Sequence, residues 1–316
     1  MAGLHYSIED LGDRRVLTLD GRTYKPTRYS KRVIEMLIER KGARAPLYFP
    51  FREQRAPLYL DPLFRWLRDH GARDLAVLEV GCSFGHMTEY LAEQPEVATI
   101  DTFDTDPAFI DIIQAKREEL PIDKLRDVLL LSNDETRRLP WRDGAFDLVL
   151  VVGIVEHLPR DRRAIVDEYY RVLAPGGHIA ILDTPNRWFP METHSIGLPG
   201  IQWMPSGLAY RYARLFRRKI RDVSYDVFTA DGTGWRNATL KECLPSSGWR
   251  GIEDVTEAAG YGSHFFAKVA GARMLKLGPA LDALVTVLGA ARITPSRCLP
   301  YFNLLFRKRA GTTRRG

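Results

Sequence analysis

The apolar positions of residues 75–80 (LAVLEV) run almost unbroken, which predicts a strand buried on both faces rather than a half-exposed one. The run stops at Gly81. A second glycine follows at Gly85, and Met87, Tyr90 and Leu91 then fall at helical spacing. The stretch therefore reads as a strand, a tight turn and a helix N-terminus, a place where backbone N–H groups can approach a ligand that a Cβ would push away. The turn is not G-x-G-x-x-G, because Cys82, Ser83 and Phe84 separate its two glycines. Glu79, an acid just before the turn, would repel a diphosphate and suits an ammonium or a sulfonium.

The strand-and-helix alternation continues downstream. Residues 98–107 give a second strand ending in acids, with Asp104 placed to accept from both hydroxyls of a ribose. A third strand over 128–131 precedes Asp134 and Glu135, and a fourth over 146–152 precedes Glu156-His157-Leu158. A helix, the turn Pro175-Gly176-Gly177 and a fifth strand fill 171–182. Further on, 239–244 reads as a helix, 252–255 as a strand and 301–306 as the last strand. Upstream, Asp20-Gly21 between short alternating runs signals a hairpin. Ser30 caps a helix bearing Val33, Ile34, Leu37 and Ile38 on one face, and Pro57 and Pro62 flank the start of another carrying Leu63, Phe64 and Leu67. Residues 1–60 thus form an N-terminal extension, either packed on the core or closing over its site as a lid.

Glu-x-Gly-x-x-x-Gly after a strand, followed at the right spacings by Asp104, the acids at 134 and 135, Leu139-Pro140-Trp141, and Pro175-Gly176-Gly177, resembles the class I S-adenosylmethionine-dependent methyltransferases. The likeness covers roughly residues 75–186 and is nearest to the ubiquinone-pathway O-methyltransferases. It implies an α/β fold: a Rossmann-like seven-stranded sheet with helices on both faces, residues 61–316 as the methyltransferase domain, and 301–306 as an antiparallel edge strand. It also implies S-adenosylmethionine (SAM) as cofactor. Gly81, Cys82 and Gly85 would surround its methionine end, with Glu79 towards the amino group. Asp104 would take the ribose hydroxyls with Thr105 beside it, and Val152 would line the same cofactor. The family's adenine-edge acid sits five residues before the Leu-Pro proline, which is Glu135 here; Asp134 is one residue off.

Two inserts depart from a minimal fold, at 187–230 and 264–297. The first opens with an aromatic, Pro- and Gly-rich loop, long enough to be a functional candidate. Its residues 207–221 read as one amphipathic helix with Arg211, Arg214, Arg217, Arg218, Lys219 and Arg221 and no acid. From residue 264 to the end, ten Lys and Arg face only Asp282, whereas the whole chain carries a net charge of +6. The basicity is local and mixed with apolar residues. It points either to an anionic membrane surface on which the protein lies or to solvated faces over core helices. No stretch has the roughly 18 apolar residues of a membrane span. Cys82, Cys243 and Cys298 are far apart and fit no zinc or disulfide spacing, and no apolar leader is visible; a cytoplasmic protein, peripheral on the inner face of the membrane, is expected.

Methyl transfer from a sulfonium is an in-line displacement, so the enzyme mainly aligns acceptor and methyl. A hydroxyl acceptor must also lose its proton, and His157 and His194 are the candidate bases, both just past strand ends. His157 has a second reading as a structural residue of its turn. No metal is expected: Gly153 stands where a Glu-x-x-Glu-His pattern would place its first carboxylate. Val152-Gly153-Ile154-Val155 replaces the Asn/Asp-Pro-Pro-aromatic motif of nucleic-acid amino-methyltransferases, so nucleic acid is an unlikely partner. The acceptor expected is a hydroxyl on a small or lipid- or polyprenyl-linked molecule, a glycan or an isoprenoid, with the aromatic loop walling an apolar pocket. The alternatives are an RNA methyltransferase using the basic patches, or a non-catalytic adaptor, which would be expected to lose the glycines or Asp104; both are intact.

Overall fold

The computed structural model describes residues 4–159, 161–262, 265, 268, 269, 283, 286, 287, 290 and 294–310. They fall into two compact units, Met1–Ser132 and Asn133–Gly316.

In the first unit, β1 (Tyr6–Asp10), β2 (Arg15–Leu19) and β3 (Arg22–Thr23) make a small antiparallel sheet. Asp20 and Gly21 turn the β2–β3 hairpin with φ of 47° and 76°, the left-handed pair that a two-residue loop of this hand requires. β1 was not legible in the pattern, because four of its five residues are exposed and it has no alternating apolar face. α1 (Lys31–Lys41) is capped by Ser30, whose side chain accepts from the Val33 N–H, and it buries Val33, Ile34, Leu37 and Ile38. α2 (Ala56–Asp69) takes Pro57 in its first turn, where the missing N–H costs nothing, and runs on through Pro62. Then β4 (Leu75–Val80), α3 (His86–Glu93), β5 (Val97–Asp104), α4 (Pro107–Glu119) and β6 (Leu125–Leu130) alternate, with the strands parallel in the order β6-β5-β4.

The extension shares a core with this βαβ layer: Leu17, Tyr29, Leu37 and Phe49 pack with Phe84, Ile112 and Ala115. A buried charge cluster joins the same pieces. The Glu89 carboxylate of α3 receives Lys116 Nζ of α4 at 2.6 Å, the Tyr29 hydroxyl at 3.1 Å, and Arg28. Removing one partner of such a buried pair costs about 3–5 kcal/mol, because the other charge is left out of water and uncompensated.

In the second unit, β7 (Phe146–Val152), α5 (Arg162–Val172), β8 (Leu173–Pro185), β9 (Ile252–Asp254) and β10 (Tyr301–Lys308) give a strand order β7-β8-β10-β9. β7 and β8 are parallel; β10 runs antiparallel to both β8 and β9. With β6-β5-β4 these are the seven strands of the Rossmann-like α/β fold.

Four local expectations are corrected. β10 is not the edge: five of its eight residues are buried and it pairs on both sides, and the three-residue β9 is the edge strand. The Pro-Gly-Gly stretch is absorbed into β8 as an irregularity. Gly176 sits at φ 82°, and a Cβ on Gly177 would meet the Asp147 carbonyl at 2.8 Å. Residues 207–221 are not one helix. α6 (Ser206–Phe216) stops where Arg217 turns extended and donates to the Gly197 carbonyl, and a 3-10 turn at Arg218–Ile220 follows. Residues 239–244 shrink to a 3-10 turn at Leu240–Cys243, held by a reciprocal cap between Thr239 and Glu242.

The first insert shares a small core with the chain just after it: Ile201, Ala209, Ala213 and Phe228 of α7 (Tyr225–Thr229) are buried together with Trp235. Most of the second insert, 264–297, lies outside the described residues. Among the described residues no helix is long and apolar enough to cross a membrane.

Candidate functional site

In the first unit, the turn after β4 holds Gly81 and Gly85 both at φ 74°, with Ser83 also left-handed at 49°. The Gly81 and Cys82 N–H groups donate to the Phe103 carbonyl at 3.0 and 3.2 Å, so the turn is laced to the end of β5. Gly85 has a packing reason as well as a dihedral one: a Cβ there would lie 2.2 Å from Ile113 Cδ1 of α4. The lacing carries Asp104 to the turn. Its Oδ2 accepts the Ser83 N–H at 2.9 Å and its Oδ1 the Asp106 N–H at 3.0 Å. Burial raises the Asp104 pKa while those backbone bonds oppose the rise.

Glu79, the last acid of β4, is buried and accepts the Thr88 hydroxyl at 2.5 Å. Burial pushes its carboxyl up to about 8. Cys82 is buried and its thiol is pushed up by the same cause, which removes it as a nucleophile. Thr105 is exposed beside Asp104. Glu79, Gly81, Cys82, Gly85, Asp104 and Thr105 therefore gather at one turn. The extension reaches it too: the Tyr48 ring lies 4.4 Å from that of Phe84, and Lys41 Nζ is 5.1 Å from the Phe84 ring.

In the second unit, Asp134 and Glu135 are exposed at the 3-10 turn Glu135–Arg137, with Asp134 3.5 Å from Arg137. Val152 ends β7, half-buried. The 3-10 turn Val155–His157 follows and points Glu156 inward, where it is fully buried. The structure brings the two sequence-predicted histidines together. His157 Nε2 lies 3.1 Å from His194 Nε2, and each lies 3.9 Å from Glu156 Oε1. His157 Nδ1 is 2.6 Å from the Gly232 carbonyl; a carbonyl only accepts, so Nδ1 carries the proton and Nε2 a lone pair. Burial depresses the His157 pKa, and Arg162 adds to the effect.

His194 is held by a residue that sequence reasoning passed over. The fully buried Glu192 carboxylate accepts four successive backbone N–H groups, those of His194, Ser195, Ile196 and Gly197, at 2.6–2.8 Å. Gly234 was also missed. It sits at φ 76°, and a Cβ there would be 2.9 Å from His157 and 3.1 Å from His194. Arg162 completes the frame by donating to the carbonyls of Asn237 and Glu156 at 2.5 and 2.7 Å. Only Glu192 left a trace in the sequence, as an acid in a Pro- and Gly-rich loop two residues from a histidine.

A cavity of about 310 Å³ opens beside Glu156, lined among others by Arg162, Arg187, Asp231 and Glu242. It is polar. Trp188 and Trp203, expected to wall an apolar pocket, are 69% and 50% exposed, which corrects that expectation. Arg187 donates to the Arg236 and Asn237 carbonyls at 2.7 and 3.0 Å, and this ties the start of the loop to the cavity rim.

Residues 78–181 match the family model described as a methyltransferase domain. The chain is 27% identical over 157 residues to a demethylmenaquinone methyltransferase of Lactiplantibacillus plantarum, covering 49% of this chain and 62% of that one. It is 32% identical over 112 residues to a ubiquinone biosynthesis O-methyltransferase of Psychrobacter cryohalolentis, covering 35% and 41%. The chain thus spans less than two thirds of the length of these curated relatives. Among solved structures, a SAM-dependent methyltransferase from Aquifex aeolicus aligns over 57% of this chain and 87% of its own, at 18% identity and a TM-score of 0.37.

Proposed function

We propose that this chain, a SAM-dependent methyltransferase through its residues 78–181, methylates a hydroxyl on a polar, lipid-linked acceptor such as a glycan head group. The observation that carries the reading is the Glu156–His157–His194 cluster at the edge of a polar cavity, a place where an acceptor hydroxyl could be bound and lose its proton.

The residues of the first unit fit the cofactor. Asp104 is held at the turn by the backbone N–H groups of Ser83, Asp106 and Thr105, and a carboxylate so placed suits the ribose. Glu79 is buried with one hydroxyl partner, and a ligand ammonium would draw it to the ionised form. Gly81, Cys82 and Gly85 form the turn under the methionine end, and Thr105 flanks the ribose. SAM supplies a methyl group on a positively charged sulfur. The chain's own residues have to orient the acceptor oxygen, exclude competing water and take up the proton.

Arg162, Arg187, Asp231 and Glu242 give the cavity donors and acceptors of both signs, which suits a polyhydroxylated head better than a bare isoprenoid phenol. The relatives named for menaquinone and ubiquinone methylation are compatible with a lipid-linked acceptor. Leu208, Leu215 and Phe216 of α6 are 56%, 70% and 59% exposed beside Arg211, Arg214 and Arg218, which supports a cytoplasmic protein lying on an anionic membrane face.

Incubating the protein with SAM labelled in its methyl group and separate total-lipid and total-RNA extracts tests the reading. Label is expected in lipid. Label entering RNA and not lipid would overturn the acceptor class, and no label anywhere, with no SAM binding by calorimetry, would overturn the activity.

A further inference from the structure

We propose that Glu156, His157 and His194 bind a divalent transition-metal ion of the zinc or cobalt class, through Glu156 Oε1 and the two imidazole Nε2 atoms. The three atoms form a triangle with sides of 3.9, 3.9 and 3.1 Å. The point equidistant from its corners lies about 2.1 Å from each, which is the Zn–N and Zn–O bond length. Closing the two long sides by a few tenths of an ångström would lift the ion out of the donor plane towards tetrahedral geometry.

The chemistry of the donors agrees with the geometry. Two imidazoles and one carboxylate suit zinc, cobalt or iron better than calcium or magnesium, which prefer oxygen throughout. His157 is already in the ligand tautomer, because its Nδ1–H is committed to the Gly232 carbonyl; this is the outer-sphere hydrogen bond that metal-bound histidines usually make. His194 is fixed at its backbone by Glu192, so the loop that carries it need not be ordered by the ion. Gly234 leaves room for both rings to face one another.

Three protein donors leave at least one coordination position open, the mark of a catalytic rather than a structural site. The side chains of His157 and His194 keep 40% and 27% of their surface, so that position can be reached from solvent. The donor that completes the set lies 37 residues from His157 in sequence, which is why the Glu-His pattern alone did not disclose it. Resting on the hydroxyl-acceptor reading, the ion would bind the acceptor oxygen and make its proton acidic; with both imidazole Nε2 atoms on the ion the proton would pass to solvent, and the oxygen would then bond to the methyl carbon as the carbon–sulfur bond breaks and S-adenosylhomocysteine leaves. Metal binding itself does not depend on that reading.

The test uses the full chain, stripped with a chelator, dialysed and titrated with cobalt(II) chloride in the absence of SAM and acceptor. One equivalent should bind and produce the intense visible absorption of four- or five-coordinate cobalt. His194→Asn and the isosteric Glu156→Gln should each weaken binding by at least about 10–100-fold, the loss that even outer-sphere changes produce. Far-ultraviolet circular dichroism of each variant confirms that it is folded. Asp13→Asn, at an exposed acid between β1 and β2 and outside the site, should bind cobalt as the wild type does. A wild-type spectrum that stays that of the hydrated ion overturns the proposal. So does tight binding that survives both ligand substitutions, since the ion would then lie elsewhere. SAM titration of the stripped protein is a separate measurement, so loss of the metal reading and loss of the methyltransferase reading give different results.

Discussion

Replacing Glu79 by Gln tests the electrostatics of the glycine turn. Glu79 is buried at the end of β4, and burial moves its carboxyl from an ordinary 4.5 to about 8, with Thr88 as its hydroxyl donor. The sign follows from which state holds the proton. Below pH 4.5 the carboxyl is protonated in both states and the shift has no effect. Between 4.5 and 8 the unfolded chain ionises while the folded chain keeps its proton, so stability falls as pH rises through that window and levels off above it. At about 1.4 kcal/mol for each tenfold change in proton affinity, the full effect is about 5 kcal/mol at most. Glutamine has nearly the same shape, can still accept from Thr88, and does not titrate. Its buried NH2 adds a destabilisation of about 1–3 kcal/mol, but one that is constant with pH. The stability difference between Glu79→Gln and wild type should therefore move steadily in favour of the variant from pH 5 to pH 8, by several kcal/mol. Urea unfolding at four pH values reads this directly; parallel wild-type and variant curves would refute the burial argument. The ligand provides a second readout. If an ammonium pairs with Glu79, SAM binding at pH 7 forces the carboxyl to ionise and releases a proton, which calorimetry in two buffers of different ionisation enthalpy detects. The variant should release none.

Asp104→Ala should weaken SAM binding by about 1.5–3 kcal/mol, the worth of hydrogen bonds to a charged group, as measured by calorimetry with SAM and S-adenosylhomocysteine. Glu192→Ala strips four N–H groups of their acceptor and should lower kcat by more than tenfold through loss of the His194 position, while the SAM Kd stays within twofold. Gly234→Ala should act in the same direction, since its Cβ would strike both histidine rings. Flotation with anionic liposomes should carry the protein at low salt and release it at high salt. Arg211→Glu with Arg218→Glu should abolish flotation, each reversal removing about 1 kcal/mol of attraction and adding repulsion. Arg217 is a poor choice for that experiment because it braces the Gly197 carbonyl.

What could be read from the sequence divides by how local the determining contacts are. β4, the glycine turn, β5 and Asp104 were legible because a buried parallel strand is written as a continuous apolar run and its ligand-facing end as glycines and acids. α1 was legible from its cap and its 3.6-residue stripe. The errors came where a distant partner decides. Residues 207–221 have a helical charge and apolar pattern throughout, yet the helix breaks at Arg217, whose guanidinium is held by a carbonyl twenty residues earlier. β10 was taken for an edge from the family resemblance; 252–255 was legible as a strand, but nothing in its three residues says that its partner is β10. The aromatic loop looked like a pocket wall, but Trp188 and Trp203 are exposed and neither joins the buried cluster beside them, which no periodicity records.

The candidate site divides in the same way, and the division bears on what kind of protein this is. The cofactor half that we propose lies within residues 79–105, and that compactness makes its pattern recognisable at low identity. The acceptor half that we propose is assembled from the Val155–His157 turn, a loop held by Glu192, and the stretch around Gly234 that Arg162 and Arg187 tie down. These pieces sit at the end of a strand, inside the first insert or just after it, where substitutions change the pocket without disturbing the sheet. Such a scaffold can keep its methyl donor and exchange its acceptor by remodelling one insert. Acceptor specificity in this chain should therefore follow the first insert and its Glu192-held loop rather than the motifs of residues 78–181. Transplanting that insert into a relative with a different acceptor is the substitution most able to move it.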